Sequence, residues 1–262
     1  MNKEIANLFW LGPLTIYEKI CIQSFVKHNF IVRVWSFNEI TDLPDGVTWY
    51  DAGKIISKDL LQKVQHPMHG EIDNKKDNHA NYAAISDIFR TNVGSKVEGW
   101  YFDTDCFCLK DQSEFKSLRE NKPFVMSYED VSHSGYVANG VMYSTPEISN
   151  LLTTITEQKC LEYNYEFPEW TFIGPSLVSE IIKENNLSKH IGNYSDFYSI
   201  YWREMNVFLD PNLLQIALDK TKNSYITHIW NSQLNQAYDI KNKLPPEGSY
   251  LDYLFKSLQH EQ

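Results

Sequence analysis

The chain has 262 residues, of which 42% are hydrophobic and 14% aromatic, enough to bury a sizeable core in one large domain with insertions. Lys plus Arg number 24 against 34 Asp plus Glu, a net charge of -10 that argues against a nucleic-acid partner held by general electrostatics. Cys21, Cys106, Cys108 and Cys160 show neither the C-x-x-C spacing of a zinc site nor the density of a disulfide scaffold, so reduced thiols are expected.

Residues 1–10 carry too short an apolar run for a secretory signal, and nothing reaches the length of a membrane span. A cytoplasmic location is therefore expected, with peripheral membrane association admitted. Residues 5–10 read as a first strand, Gly12-Pro13 as a break, and 15–28 as a helix offering Ile16, Ile20, Ile22, Phe25 and Val26 for burial. Residues 31–37 read as a second strand, which predicts a βαβ unit with a parallel pair. After the turn cluster at 42–46 periodicity weakens until about residue 77, and 64–76 is expected to be a mobile loop. Residues 81–93 then carry Ala83, Ala84, Ile85, Ile88, Phe89 and Val93 in helical order. Asp87 and Arg90 stand three apart on one side of that helix, and Gly94 reads as its stop. Further strands are expected at 124–128 and 136–143, a helix with Pro at its start at 146–156, and another opened by Gly174-Pro175 and running to 182. A last strand at 225–230 would place His228 and Trp230 on one face, and 250–258 would form an amphipathic tail helix after Pro245-Pro246.

The most informative stretch is Gly99-Trp100-Tyr101-Phe102-Asp103-Thr104-Asp105, in which a short apolar strand runs into two carboxylates one residue apart. In an open α/β sheet the ligand crevice lies at the carboxyl ends of strands. Magnesium or manganese is commonly held there by one or two carboxylates, with substrate phosphates filling other positions. The D-x-D pair thus points to a diphosphate substrate bound through Mn²⁺ or Mg²⁺, and so to nucleotide-sugar chemistry. As a calcium loop the stretch fails, because Phe107 and Cys108 stand where an oxygen ligand and a glycine are required even though Glu114 falls on position twelve. As an aspartate-nucleophile phosphatase, Asp103 would attack phosphorus and Asp105 act as acid, but Cys106-Phe107-Cys108 replaces the expected small-residue turn. A non-catalytic sugar-nucleotide-binding module is the third reading. Asp87 and Arg90 also have a plain explanation as an intrahelical ion pair, His228 as a satisfied strand histidine, and Trp10 and Trp230 as core aromatics.

Four blocks in order, Phe9-Trp10-Leu11-Gly12, the helix from Ala83 to Arg90, the strand from Gly99 to Asp105, and His228-Ile229-Trp230-Asn231, resemble the D-x-D sugar transferases of the capsular-polysaccharide and initiating mannosyltransferase type. More distantly they resemble the catalytic domains of glucosylating toxins. The resemblance implies a GT-A type α/β fold, a mostly parallel central sheet flanked by helices. It implies transfer of a hexose or N-acetylhexosamine, with retained anomeric configuration, from a nucleotide-diphosphate sugar to a saccharide or glycan acceptor. By the same likeness Trp10 would stack on a uracil, with Leu11 and Gly12 offering backbone contacts. Ser86 would lie by the ribose, Asp87 and Arg90 would hold donor-sugar hydroxyls, and Tyr101 would sit near ribose or diphosphate. Asp103 would bridge ribose and metal, Asp105 would bind the metal, and Asn139 would lie beside the sugar and diphosphate. His228 would be a metal ligand and Trp230 would close over the diphosphate; Asp87, Asp103 and Asp105 are the catalytic candidates. One domain, 1–262, is expected, with a nucleotide-sugar half at 1–110, an acceptor half at 111–245 and a tail at 246–262. Two departures stand out: Glu98 rather than Gly precedes Gly99, and no basic cluster follows His228.

Overall fold

Ile5–Phe9 forms the central strand β1, buried along its whole length, and Ile16–Lys27 follows as helix α1. Thr15 starts that helix with a capping box, its side chain accepting from the Tyr17 N–H while Glu18 accepts from the Thr15 N–H. β2 (Ile31–Ser36) returns parallel to β1, with Ile5 opposite Ile31, so the expected βαβ unit is present. The computed structural model describes residues 3–64, 79–130, 132, 136–241 and 243–259.

The chain continues through β3 (Val47–Asp51), the short helix α2 (Leu60–Lys63), α3 (His79–Lys96), β4 (Trp100–Phe102), β5 (Cys106–Cys108) and α4 (Gln112–Arg119). Then come β6 (Phe124–Tyr128), β7 (Val137–Ser144), α5 (Pro146–Glu162), α6 (Leu177–Glu184), α7 (Asn206–Leu209), α8 (Leu214–Thr221), β8 (Ile226–His228), α9 (Asn231–Tyr238) and α10 (Tyr250–Gln259). The main sheet has six strands in the order β3-β2-β1-β4-β7-β6. β3, β2, β1 and β4 run parallel, and β7 is antiparallel to both β4 and β6. This is the mostly parallel α/β architecture expected. One core lies on each face, and alternation along β4 assigns Trp100 and Phe102 to one and Tyr101 to the other. Among the described residues, no helix is long and apolar enough to cross a membrane.

β1 sits where the strand order reverses, β2 on one side and β4 on the other, so a crevice opens at the carboxyl ends of β1 and β4. A buried polar side chain and a close backbone approach hold this register. The Asn7 amide donates to the Glu98 and Trp100 carbonyls at 3.1 Å each and accepts from the Trp35 indole at 3.0 Å. Gly99, at φ +114, brings its backbone so close that a Cβ would lie 2.7 Å from the Ile5 carbonyl. Only glycine fits between the strands there, whatever precedes it.

Several boundaries differ from the sequence expectation. Gly94 does not stop α3, which runs on to Lys96; its missing Cβ would lie 2.8 Å from Ser149 Oγ, so it serves the close packing of α3 on α5. α5 extends to Glu162, well past the expected end. Gly174-Pro175 lies within a wide helical turn, Phe172–Ser176, that precedes α6. The strand expected at 225–230 ends at His228, because Trp230 adopts a left-handed backbone at φ 55. Strands β3 and β5 have no counterpart among the sequence expectations; β5 pairs antiparallel with β8 in a separate two-stranded sheet. The loop expected at 64–76 falls outside the described residues except for the buried Val64. All four cysteines are buried and free.

Candidate functional site

Arg90 is the hub of the crevice. On α3 it stands one turn beyond Ser86, donating from Nη2 to Ser86 Oγ at 2.9 Å and from Nε to the Ser86 carbonyl at 3.3 Å. Its shortest ion pair is not the intrahelical one: Nη2 lies 3.0 Å from Asp103 Oδ1, whereas Nη1 is 3.4 Å from Asp87 Oδ1. Nη1 also donates to Asn139 Oδ1 at 2.9 Å, and Asn139 on β7 passes a hydrogen bond to Asp87 Oδ1 at 2.8 Å. Arginine has no acceptor and a carboxylate no donor, so the two partners fix which way the Asn139 amide points. Tyr101, under the guanidinium at 5.3 Å, donates to Asp103 Oδ1 at 2.8 Å and lies 3.2 Å from Ser86 Oγ. Ser86, Asp87, Arg90, Tyr101, Asp103 and Asn139 thus form one network drawn from α3, the β4 tip and β7.

Burial and partners set the charges. Asp87 is only 6% exposed, and burial lifts its carboxyl to about 6 although Arg90 and Asn139 pull the other way. Asp103 is also pushed up by burial, but Arg90, His228 and Tyr101 together hold it below the usual carboxylate range. Burial works against the Arg90 charge and is overcome by Asp103, Tyr101 and Asp87, so the guanidinium stays charged. Two glycines close the walls. A Cβ on Gly140 would lie 2.7 Å from Asp103 Oδ2, and one on Gly174 would run into the Asp87 carboxylate.

A second cluster adjoins the first through β5. The pairing of Cys106 with His228 brings the β8 end beside Asp105, and the Ile229 N–H donates to the Asp105 carbonyl at 3.0 Å. His228 Nε2 is 3.3 Å from Asp105 Oδ1 and 3.8 Å from Asp103 Oδ2. Burial would lower the imidazole's affinity for a proton, but Asp105, Asp103 and Glu129 outweigh it and raise its pKa. The Trp230 N–H reaches His228 Nδ1 at 3.3 Å, so in this state Nε2 is the protonated nitrogen facing the carboxylates.

Asp103 Oδ1 is taken by Arg90 and Tyr101, which leaves Oδ2 on the His228 side. Three carboxylates here face one guanidinium and one imidazole, a negative excess that favours a cation. Carboxylate oxygens suit Mn²⁺ or Mg²⁺, and an imidazole beside them favours Mn²⁺ of the two, so Asp103, Asp105 and His228 fit a divalent ion. For His228 to ligate through Nε2 its proton must move to Nδ1; the Trp230 contact it would break is already long for a hydrogen bond. Among the described residues, the side chains whose ligand atoms all lie within 4.8 Å of one another are Asp105, His228 and Cys106; Asp103 joins them through its approach to His228. Burial first, then Asp105 and Asp103, push the Cys106 thiol far up, so it stays protonated and contributes nothing to a hard ion.

The remaining expected residues lie at the rim or behind it. Trp10 is half-buried just past β1, its indole N–H donating to the Pro13 carbonyl at 3.2 Å, followed by partly buried Leu11 and exposed Gly12 at φ +102. Trp230 packs 4.2 Å from the His228 ring and gives its indole N–H to the Ile200 carbonyl at 2.9 Å, so it backs the histidine and has no free donor. Three site neighbours lie beyond the sequence expectation. The Tyr198 hydroxyl is buried without a partner among the described residues, and a Cβ on Gly140 would sit 3.2 Å from it. The Asn231 N–H donates to Asp105 Oδ2 at 3.0 Å, and the Asn231 amide reaches Glu18. Asn231 ends the block that begins at His228, and Glu18 completes a readable capping box, but no spacing signals that they meet; Tyr198 has no sequence signal.

Residues 154–246 match a family described as "Alpha 1,4-glycosyltransferase conserved region". No curated protein matches the chain. Among solved structures it is similar to the galactosyltransferase LgtC in complex with donor and acceptor sugar analogs, at 10% identity, TM-score 0.48, covering 93% of this chain and 98% of that one. A glycosyltransferase involved in glycosylating the major capsid of PBCV-1 is similar at 12% identity, TM-score 0.46, with coverage of 90% and 98%. The apo-form glycosyltransferase GlyE of Streptococcus pneumoniae is similar at 11% identity, TM-score 0.47, with coverage of 94% of this chain and 66% of that one.

Proposed function

We propose that the chain is a divalent-metal-dependent glycosyltransferase of GT-A type. It would move a hexose or N-acetylhexosamine, with retained configuration, from a nucleotide-diphosphate sugar, in our reading UDP-linked, to a saccharide acceptor. The observation that carries this reading is that His228 Nε2 has Asp105 Oδ1 at 3.3 Å and Asp103 Oδ2 at 3.8 Å, beside the Arg90 network at the β1/β4 crevice. The partial match over residues 154–246 supports the same reaction class.

In this reading Trp10 is the platform for the base, with Leu11 and Gly12 lining it. Asp87, fixed by Asn139, accepts hydrogen bonds from donor-sugar hydroxyls, and Arg90 supplies positive charge next to the diphosphate. Asp103 uses Oδ1 to lock Arg90 and Tyr101 and turns Oδ2 toward the ion and the ribose. Mn²⁺ or Mg²⁺ held by Asp103, Asp105 and His228 would stabilise charge developing on the departing diphosphate. Because Arg90 is already held by Ser86, Asn139 and Asp103, it needs no reorganisation when that charge appears. Asp87 also places negative charge where positive charge builds on the sugar. No protein base is required, since the departing phosphate can take the acceptor proton.

A panel of nucleotide sugars screened by thermal shift with and without Mn²⁺, followed by chromatography of the bound donor, tests the proposal. Stabilisation by one diphosphate sugar that deepens with Mn²⁺, together with slow donor hydrolysis, is the expected result. Binding without any turnover would indicate an inert module, and Mg²⁺-dependent hydrolysis of phosphomonoesters a phosphatase; either overturns the transferase reading.

A further inference from the structure

Glu18 does more than cap a helix. It is 1% exposed, although a glutamate is seldom so buried unless its carboxylate is paired, and burial raises its pKa. Oε2 accepts from the Thr15 N–H at 2.6 Å, while Oε1 accepts from the Asn231 side-chain amide. Asn231 opens α9, and its backbone N–H donates to Asp105 Oδ2 at 3.0 Å. Of the two Asp105 carboxylate oxygens one is thereby committed, and Oδ1 alone faces His228 at 3.3 Å. The other atom of the Asn231 amide, Oδ1, is buried and has no partner among the described residues, so the amide is held from the Glu18 side alone. Thr15 also lies just beyond the loop in which the Trp10 indole donates to Pro13.

We propose that Glu18 and Asn231 are a positioning pair that sets the Asp105 carboxylate for cation binding, anchoring it to the loop after β1 that carries Trp10. This rests on the metal-site reading above. Neither residue touches substrate: Glu18 orients Asn231, and Asn231 orients Asp105. Outer partners of this kind commonly alter metal affinity by about 10- to 100-fold when lost.

Glu18→Gln, Asn231→Asp and the double variant test the pairing, with Mn²⁺ affinity in the presence of UDP followed by electron paramagnetic resonance of the free ion. Glu18→Gln keeps the pair if the Asn231 amide turns over, because the glutamine oxygen accepts from the Thr15 N–H while its NH₂ donates to Asn231 Oδ1, the oxygen that has no partner among the described residues. Asn231→Asp sets two carboxylates face to face. The double variant rebuilds the hydrogen bond with its polarity reversed, because the glutamine amide at position 18 would donate to the carboxylate introduced at position 231. Circular dichroism of each variant establishes that it is folded. The expected result is Mn²⁺ affinity about 10-fold weaker or more in Asn231→Asp, and within about threefold of wild type in Glu18→Gln and in the double variant. An Asn231→Asp variant that binds Mn²⁺ as wild type does, or a folded double variant without recovery, would overturn the pairing alone. A wild-type protein that binds no Mn²⁺ with UDP would overturn the functional reading and this role with it.

Discussion

Asp87→Asn is expected to make the protein more stable at neutral pH while crippling transfer. The Asp87 carboxyl sits at about 6 in the folded state against 3.8 when unperturbed, because burial outweighs Arg90 and Asn139. With the folded value above the unfolded one, the corresponding stability is fully present below about pH 3.8 and is lost as pH rises through about 6. At ~1.4 kcal/mol for each tenfold in proton affinity, the difference amounts to about 3 kcal/mol at pH 7.5. The introduced amide would keep the hydrogen bond from Asn139, and Arg90 would keep Asp103 at 3.0 Å, so little is lost in exchange. A gain of about 1–3 kcal/mol at pH 7.5, shrinking to near zero by about pH 4, is expected. Urea denaturation of both proteins across that range isolates the effect, since the other carboxylates largely cancel in the difference. Transfer should fall by about 10²-fold or more, as for loss of a preorganised electrostatic contact. A variant less stable than wild type at pH 7.5, or a stability difference flat from pH 4 to 7.5, would refute the reasoning.

Trp10→Ala should raise the donor KM with little change in kcat, because stacking on a base is made equally in ground and transition states; steady-state kinetics showing a pure kcat defect would exclude the platform role. Gly140→Ala places a methyl group 2.7 Å from Asp103 Oδ2, which must shift. A displacement of that oxygen by about half an ångström should cost about 10-fold or more in Mn²⁺-supported turnover, and near-wild-type kinetics would show that Oδ2 is not used.

The βαβ start, the α3 helix and the D-x-D strand were legible because each writes a periodic pattern into consecutive residues. The network that joins them was only partly legible. Asp87 and Arg90 three apart read equally well as a local ion pair, and only the fold shows Arg90 closer to Asp103 on another element. The Asp105–His228 contact depends on β5, a three-residue strand too short to have a period, pairing with β8 across more than a hundred residues. Trp230 departs from simple alternation because of its left-handed backbone, which is what aims its N–H at His228. Gly94 shows the opposite error: a glycine demanded by close helix packing reads, in sequence, as punctuation.

The most direct test of the metal-centred reading is titration of Mn²⁺ into wild-type protein and Asp105→Asn, each with UDP present, with the bound ion counted by electron paramagnetic resonance. One Mn²⁺ per wild-type chain, weakened by about 10-fold or more in the variant, is the expected result. An ion bound equally well by both proteins, or by neither, would contradict it.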